Sequence, residues 1–320
     1  LIFKKIWSLN RVQRALHSIP GKIQIIKKVE YLRGLYQYPA SMLGRNLDIN
    51  QTHNVQTDVL VFAAHADDEV LGLGATLSRH SRNRDKIKIV FVTNGSADWT
   101  GVQSWQIKAS EARSKSETRY KEAVEALSLL NIPKENVFCL GYPDGGSQRY
   151  LKDIKKDVLQ LILQWNPGRV YVHCIEGGHI DHDMTSYVVK SVCKEAGFRN
   201  VIEWAEYNSE QPIGTRNIKF LSTQYSIYKE TTINITEAER NLKRKMLACH
   251  KSQNVEGYYL QGEAVRQAAL SNLDVELKEF CHLPNKILSS IIKDFSQIQA
   301  REFKADNVPD KNDLKKSSVK

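Results

Sequence analysis

From Thr57 to Tyr207, short apolar runs alternate with longer stretches in which apolar residues recur every three or four positions. That texture predicts strands at Asp58–Ala64, Lys88–Thr93, Asn136–Leu140, Arg169–His173 and Val201–Tyr207. Helices are expected between them, at about Val70–Arg82, Lys108–Leu130, Leu151–Trp165 and Met184–Ala196. Strand and helix in alternation form βαβ units, so the sheet is expected to be parallel and the class α/β. A further strand is expected at Ile218–Tyr228, and then a helix opened by Thr236-x-x-Glu239, which has capping-box spacing.

The two ends break from this texture. Residues 1–54 read as a basic amphipathic extension: Ile2, Ile6, Leu9, Val12 and Leu16 fall at helical spacing, Pro20-Gly21 interrupts, and a second amphipathic stretch runs from about Lys22 to Tyr36. Nine Lys/Arg against two acids give this extension +7 of the chain's +10, so the basic balance belongs mostly to it. Residues 305–320 lack apolar periodicity and read as a disordered tail, which leaves 55–304 as the folded domain. At 320 residues and 41% hydrophobic, the chain can bury a sizeable core. No run approaches the roughly 20 apolar residues of a membrane-crossing helix. The five cysteines are scattered and never form C-x-x-C, so neither a disulfide framework nor a cysteine zinc knuckle is suggested, and a reducing cytoplasm fits best.

Two polar clusters carry the chemistry. The first strand runs into Ala64-His65-Ala66-Asp67-Asp68-Glu69, and the Arg169–His173 strand into Cys174-Ile175-Glu176-Gly177-Gly178-His179-Ile180-Asp181-His182-Asp183. In an open α/β sheet, ligands bind beyond the carboxyl ends of strands, so both clusters sit where chemistry is expected. If the two strands are neighbours, their histidines and carboxylates form one site suited to a divalent metal. Gly72 and Gly74 do not make a dinucleotide fingerprint, because the G-x-G-x-x-G spacing is absent.

His65-x-Asp67-Asp68-Glu69 and His179-x-Asp181-His182 resemble the paired AHPDDE and HPDH motifs of the zinc-dependent N-deacetylases of the PIG-L/LmbE-like superfamily. Glu117-x-Arg119-x-x-Glu122, Leu140-Gly141-Tyr142-Pro143-Asp144-Gly145-Gly146 and His250-x-Ser252-Gln253 are similar to further segments of that family, in the same order. The resemblance implies a Rossmann-like three-layer sandwich with a mostly parallel sheet, and a hydrolase that removes acetyl from an N-acetylglucosamine-containing conjugate through a metal-activated water. It implies His65, Asp68 and His182 as ligands of Zn2+, with Fe2+ as another candidate. Asp67 becomes the general base, His179 the general acid and Asp181 its partner. Arg119 and Asp144 fall on the substrate side, and Glu69 caps the helix or orients His65. Ala66 and Ile180 stand where the family has prolines. Gly177 stands where some members carry a tyrosine that holds the oxyanion, a place Tyr142 is a candidate to fill.

His173 and His80 are read as structural, and His250 as either bordering the site or ending a helix. The alternatives to a sugar deacetylase are an amide hydrolase of a non-sugar metabolite and a non-catalytic glycan- or membrane-associated binding protein. For residues 1–54, packing on the domain is favoured over peripheral contact with the inner membrane face, for which Phe3, Trp7 and interleaved Lys/Arg are suited. No nucleic-acid reader motif is present. Homo-oligomerisation is left open.

Overall fold

A computed structural model describes residues 21–32, 57–97, 108–222 and 228–306. The remainder of the N-terminal extension, most of the loop 96–108 and the tail beyond 306 lie outside the described residues.

Five strands pair in parallel in the order β3-β2-β1-β4-β5: β1 (Thr57–Ala63), β2 (Ile87–Thr93), β3 (Val137–Tyr142), β4 (Pro167–His173) and β5 (Val201–Ala205). Successive side chains of a strand face opposite sides, and both sides are covered. Leu60, Phe62, Val90, Val92, Phe138 and Leu140 enter one core, against α4 (Leu151–Trp165), α5 (Ile180–Glu195), α7 (Leu273–Phe280) and α8 (Asn285–Asp306). Val59, Val61, Ala63, Ile89 and Phe91 enter the other, against α2 (Asp68–Arg82), α3 (Ala109–Ser128) and α6 (Glu237–Cys249). Strands buried on two faces read as unbroken apolar runs. The result is the expected α/β three-layer sandwich, and α6 opens with the expected capping box between Thr236 and Glu239.

The far edge corrects the sequence reading. No strand forms over the described part of Ile218–Tyr228. The antiparallel edge is made instead by β6 (Thr231–Thr232) and β7 (Ala264–Gln267), with β7 beside β5. The apolar alternation of Ile218 and Phe220 reflects docking into a small core with Cys174, Ala205 and Ala264. In β7 the inward Arg266 is neutralised by Glu203 of β5, Nε to Oε1 2.6 Å, so an ion pair replaces the apolar signal.

Gly72 and Gly74 have a packing role. A Cβ at Gly72 would lie 2.3 Å from the Trp204 ring, and one at Gly74 3.2 Å from the Lys243 side chain. Lys243 Nζ donates to Leu71 O at 2.7 Å and to Glu263 Oε1 at 3.0 Å. Glu263 in turn accepts the N–H groups of Ala75 and Thr76, at 2.7 and 3.0 Å. A buried ion pair therefore replaces part of the α2 ladder, and no phosphate cradle is left. Of the N-terminal extension, α1 (Lys22–Leu32) lies on the domain: Lys27 pairs with Asp153 at 3.0 Å, and the buried Glu30 meets Arg149 and Tyr150.

Candidate functional site

Strand order reverses between β1 and β4, which pair directly through Val61–Tyr171 and Phe62–Val172. Such a switch point opens a crevice at the carboxyl ends of the strands. The neighbour relation on which a single site depends is present, and the two polar clusters meet there as the leads into α2 and α5.

Asp68 is the hub. Its Oδ2 accepts the His65 backbone N–H at 2.7 Å. The same oxygen lies 3.3 Å from His65 Nδ1, 3.3 Å from His182 Nε2 and 3.4 Å from His173 Nε2. Burial works against its charge, but His182 and His65 hold the carboxyl well below the usual range. Likewise, burial opposes protonation of His65, and Asp144 and Asp68 outweigh it, raising its pKa. His182 is fully buried, and neither of its ring nitrogens makes a hydrogen bond. Leaving a buried polar atom unpaired costs about 1–3 kcal/mol. An orphaned imidazole aimed at a carboxylate, with a second imidazole alongside, is a donor set that fits a divalent cation. Ligating atoms of Asp68, His173 and His182 fall within 4.8 Å of one another, as do those of His65, His179 and His182.

His173, read from sequence as structural, stands at this centre. Its Nε2 accepts the Ala64 N–H at 3.0 Å, which leaves the proton on Nδ1, 3.4 Å from Glu206 Oε2. Its ring stacks on His182 at 4.0 Å and fixes that imidazole from behind. His80 lies away from the centre, between Asp85 and Tyr171 at 2.6 and 2.9 Å.

Asp67 precedes α2 with φ 140°, a backbone region that residues other than glycine rarely enter, at a cost of order 1–3 kcal/mol. Two contacts hold it there. Glu69 Oε2 accepts its N–H at 3.1 Å, and Arg119 Nη2 donates to its Oδ1 at 3.0 Å. Glu69 thus braces Asp67. Arg119 lines the cleft, yet its Nη2 also reaches Ala66 O at 3.3 Å and its Nη1 donates to Gly95 O at 3.2 Å. Its donors serve the protein more than a ligand. Burial pushes the Asp67 carboxyl up to about 6, against the pull of Arg119.

His179 is the N-cap of α5, and its Nδ1 accepts the Asp181 N–H at 3.2 Å. The neutral ring therefore carries its proton on Nε2. Burial, then the charge of His65, pushes its pKa down to about 4. Asp181 does more for the adjacent loop than for His179: its carboxylate accepts the Gly145 N–H at 2.6 Å, the Ser147 N–H at 3.1 Å and the Ser147 hydroxyl at 2.5 Å. It lies 3.3 Å from His65 Nε2 and 3.9 Å from His179 Nδ1. Asp144 Oδ1 is also 3.3 Å from His65 Nε2, and its Oδ2 accepts the Ala97 N–H at 3.0 Å.

Together, His65, Asp67, Asp68, Arg119, Asp144 and His179 share a cleft of about 270 Å³. Leu71, Ala97, Tyr207, Ile213 and Gln253 complete it; of these, sequence reasoning gave no sign of Leu71 and Tyr207. Tyr207 stands edge-on to His182 at 5.2 Å. Burial and then Glu206 raise its hydroxyl pKa well above the usual value, so it stays protonated. The one available signal was its place just past a strand's carboxyl end. Tyr142 cannot serve the cleft: it is buried in the opposite core and donates to Asp157 at 2.7 Å. His250 ends α6, fully buried with both ring nitrogens unpaired, while Glu122 accepts the Ser252 N–H and hydroxyl at 2.8 and 2.6 Å.

Residues 60–193 match the family model of the GlcNAc-PI de-N-acetylase, PIG-L. Among solved structures, a deacetylase triple mutant from the teicoplanin biosynthetic pathway is 17% identical, with a TM-score of 0.51 over 66% of this chain and 97% of that one. The A40926 pseudoaglycone deacetylase is 18% identical, with a TM-score of 0.50 over 67% of this chain and 99% of its own. The zinc-inhibited form of a teicoplanin deacetylase is 16% identical at a TM-score of 0.50, over 66% and 97%. These structures share the fold, and residues 60–193, which hold both polar clusters, are similar to the PIG-L family.

Proposed function

We propose that this protein is a metal-dependent N-deacetylase that hydrolyses the acetamide of an N-acetylglucosamine-containing conjugate. The observation that carries the reading is the convergence of His65 and His182 on Asp68, with the nitrogens of His182 left unpaired, next to Asp67 and His179. His65, Asp68 and His182 would hold the ion, with the stacked His173 keeping His182 in place. Zn2+ suits two imidazoles and a carboxylate, and Fe2+ accepts the same donors. The existence of a zinc-inhibited teicoplanin deacetylase among the similar structures supports a divalent-metal reading without fixing the ion. When bound, the cation supplies Lewis-acid polarisation of the acetamide carbonyl and acidifies water beside it.

The protein's own groups move the protons. Asp67, ionised near neutrality and held by Arg119, removes a proton from the attacking water. Asp67 passes that proton to the departing amine as the C–N bond breaks, and the neutral His179 presents its Nε2–H to the same amine and orients it. Asp144 offers carboxylate oxygen to sugar hydroxyls at the rim. A cleft of about 270 Å³ lies near the lower end of small-molecule sites, so one sugar unit occupies it and the rest of the conjugate runs over the rim. The five cysteines, free and buried, suit a reducing compartment such as the cytoplasm. The outer face of α1, with Ile25, Val29 and Leu32 exposed beside Lys28, supports peripheral contact with an anionic membrane. Flotation with anionic vesicles, lost on truncation of residues 1–54, tests that contact.

Acetate release from a panel of N-acetylglucosaminyl conjugates tests the reaction. Asp67→Asn is expected to keep its metal and lose about 10²- to 10⁴-fold in kcat. An unchanged rate removes Asp67 from the mechanism.

A further inference from the structure

We propose that Glu30, on the N-terminal helix α1, is a positioning residue of the active site: it fixes the turn that carries Asp144, and so sets how tightly the sugar is held. The inference rests on the deacetylase reading above, in which Asp144 meets the sugar hydroxyls.

The helix α1 turns its single acid inward. Ile23, Ile26, Lys27 and Glu30 recur at helical spacing on its less exposed side, and Glu30 is fully buried, whereas Ile25, Val29 and Leu32 are exposed. A carboxylate leaves water only where donors replace it. Arg149 grips it with two arms of the guanidinium, Nη2 to Oε1 and Nε to Oε2, the second at 3.3 Å, and Tyr150 Oη donates to Oε2 at 2.5 Å. A bidentate pair of this kind fixes orientation as well as distance. Lys27 ties the helix to the same stretch of chain, pairing with Asp153 at 3.0 Å and lying over the Tyr150 ring at 4.5 Å.

Arg149 and Tyr150 close the turn that begins at Asp144. Within it, the Gly146 N–H donates to Pro143 O at 3.0 Å, the Arg149 N–H to Gly146 O at 3.1 Å and the Tyr150 N–H to Ser147 O at 2.8 Å. The Arg149 guanidinium lies directly against Gly146, where a Cβ would collide with it. The same turn reaches the reacting centre. Gly145 and Ser147 donate their N–H groups to Asp181 at 2.6 and 3.1 Å, and Asp144 Oδ1 stands 3.3 Å from His65 Nε2. Two buried carboxylates therefore hold the turn, Asp181 at Gly145–Ser147 and Glu30 at Arg149–Tyr150. The first belongs to the site, and the second comes from the N-terminal extension. Without Glu30, the Arg149 end of the turn loses its anchor, and a substrate-gripping group displaced by about 1 Å loses much of its effect.

The test uses the full-length holoenzyme and acetate release from N-acetylglucosaminyl conjugates. Glu30→Gln is expected to raise KM about tenfold, with kcat and metal content nearly unchanged. Glu30→Leu combined with Arg149→Leu, which leaves no buried charge unpaired, should restore the melting temperature and still show the raised KM. In an Asp144→Ala background, Glu30→Gln should add no further rise, because residues that act through one another are not additive. Effects on KM that multiply in that background overturn the assignment, and so does a KM that recovers along with the melting temperature; either result makes Glu30 merely structural. An unchanged KM in Glu30→Gln, or a loss confined to kcat or to metal content, overturns it as well. An unaltered protein that releases no acetate from any conjugate overturns the deacetylase reading itself, and this assignment with it.

Discussion

Replacing Arg119 by methionine removes the guanidinium that pairs with Asp67 while filling much of the same volume. Arg119 Nη2 sits 3.0 Å from Asp67 Oδ1 in a fully buried pair, so its charge acts on the carboxylate with little screening. An arginine in such contact lowers an aspartate pKa by about 1–3 units. Burial already pushes Asp67 up to about 6 with Arg119 in place. Without it, burial and the charge of Asp68 are opposed only by His65 and His182, and the pKa rises further, by about 1–3 units. A general base works only when ionised. At pH 7 the ionised fraction falls from about nine-tenths to between one-half and one-hundredth, so kcat/KM drops by about 2- to 100-fold and recovers as the pH is raised. The assay is kcat/KM for acetate release from pH 5 to 9.5, in which the acid limb moves up by at least about one unit. Arg119→Lys, which keeps the charge and loses the fork, should move it less. A loss equal at every pH, or a rise in KM alone, would refute the reasoning and return Arg119 to the substrate side.

Two further predictions test the frame around the site. Gly72→Ala drives a Cβ to within 2.3 Å of the Trp204 ring. It should destabilise the domain by about 1–3 kcal/mol and alter tryptophan fluorescence, and an unchanged urea midpoint would contradict the close packing. His250 is buried with its pKa pushed down to about 3 by burial and then Arg119. The unfolded imidazole takes up a proton below about 6.5 while the folded one stays neutral, so stability is present above that pH and is lost as pH falls. Relative to His250→Leu, the unaltered protein should lose about 1.4 kcal/mol per pH unit below pH 6, and parallel urea-unfolding curves across that range would show that His250 is not buried neutral.

The five parallel strands were legible because burial on both faces leaves apolar runs such as Leu60–Ala63 with no polar interruption. The antiparallel edge was not, because the inward Arg266 of β7 is matched to Glu203 by contacts that no local pattern records. The two polar clusters were legible for a related reason: each is consecutive in the chain, and the topology of an open α/β sheet says where such loops lie. What surrounds them was assembled from distant segments. Tyr207, Ile213 and Gln253 reach the cleft from three separate stretches. The partnership of Arg119 with Asp67 depends on where one turn of α3 crosses the end of β1, and the stacking of His173 on His182 depends on the register of β4 with α5. The strain at Asp67 was also hidden, since aspartate before a helix is an ordinary cap in sequence and only the backbone shows φ 140°.

The account turns on a metal-dependent removal of acetyl at the junction of β1 and β4. Acetate release from an N-acetylglucosaminyl conjugate, followed before chelation, after it and after return of one equivalent of Zn2+ or Fe2+, tests that claim most directly. The account predicts that chelation abolishes release and that the ion restores it in the unaltered protein but not in His182→Ala. Release that survives chelation, or that returns equally in His182→Ala, would contradict it.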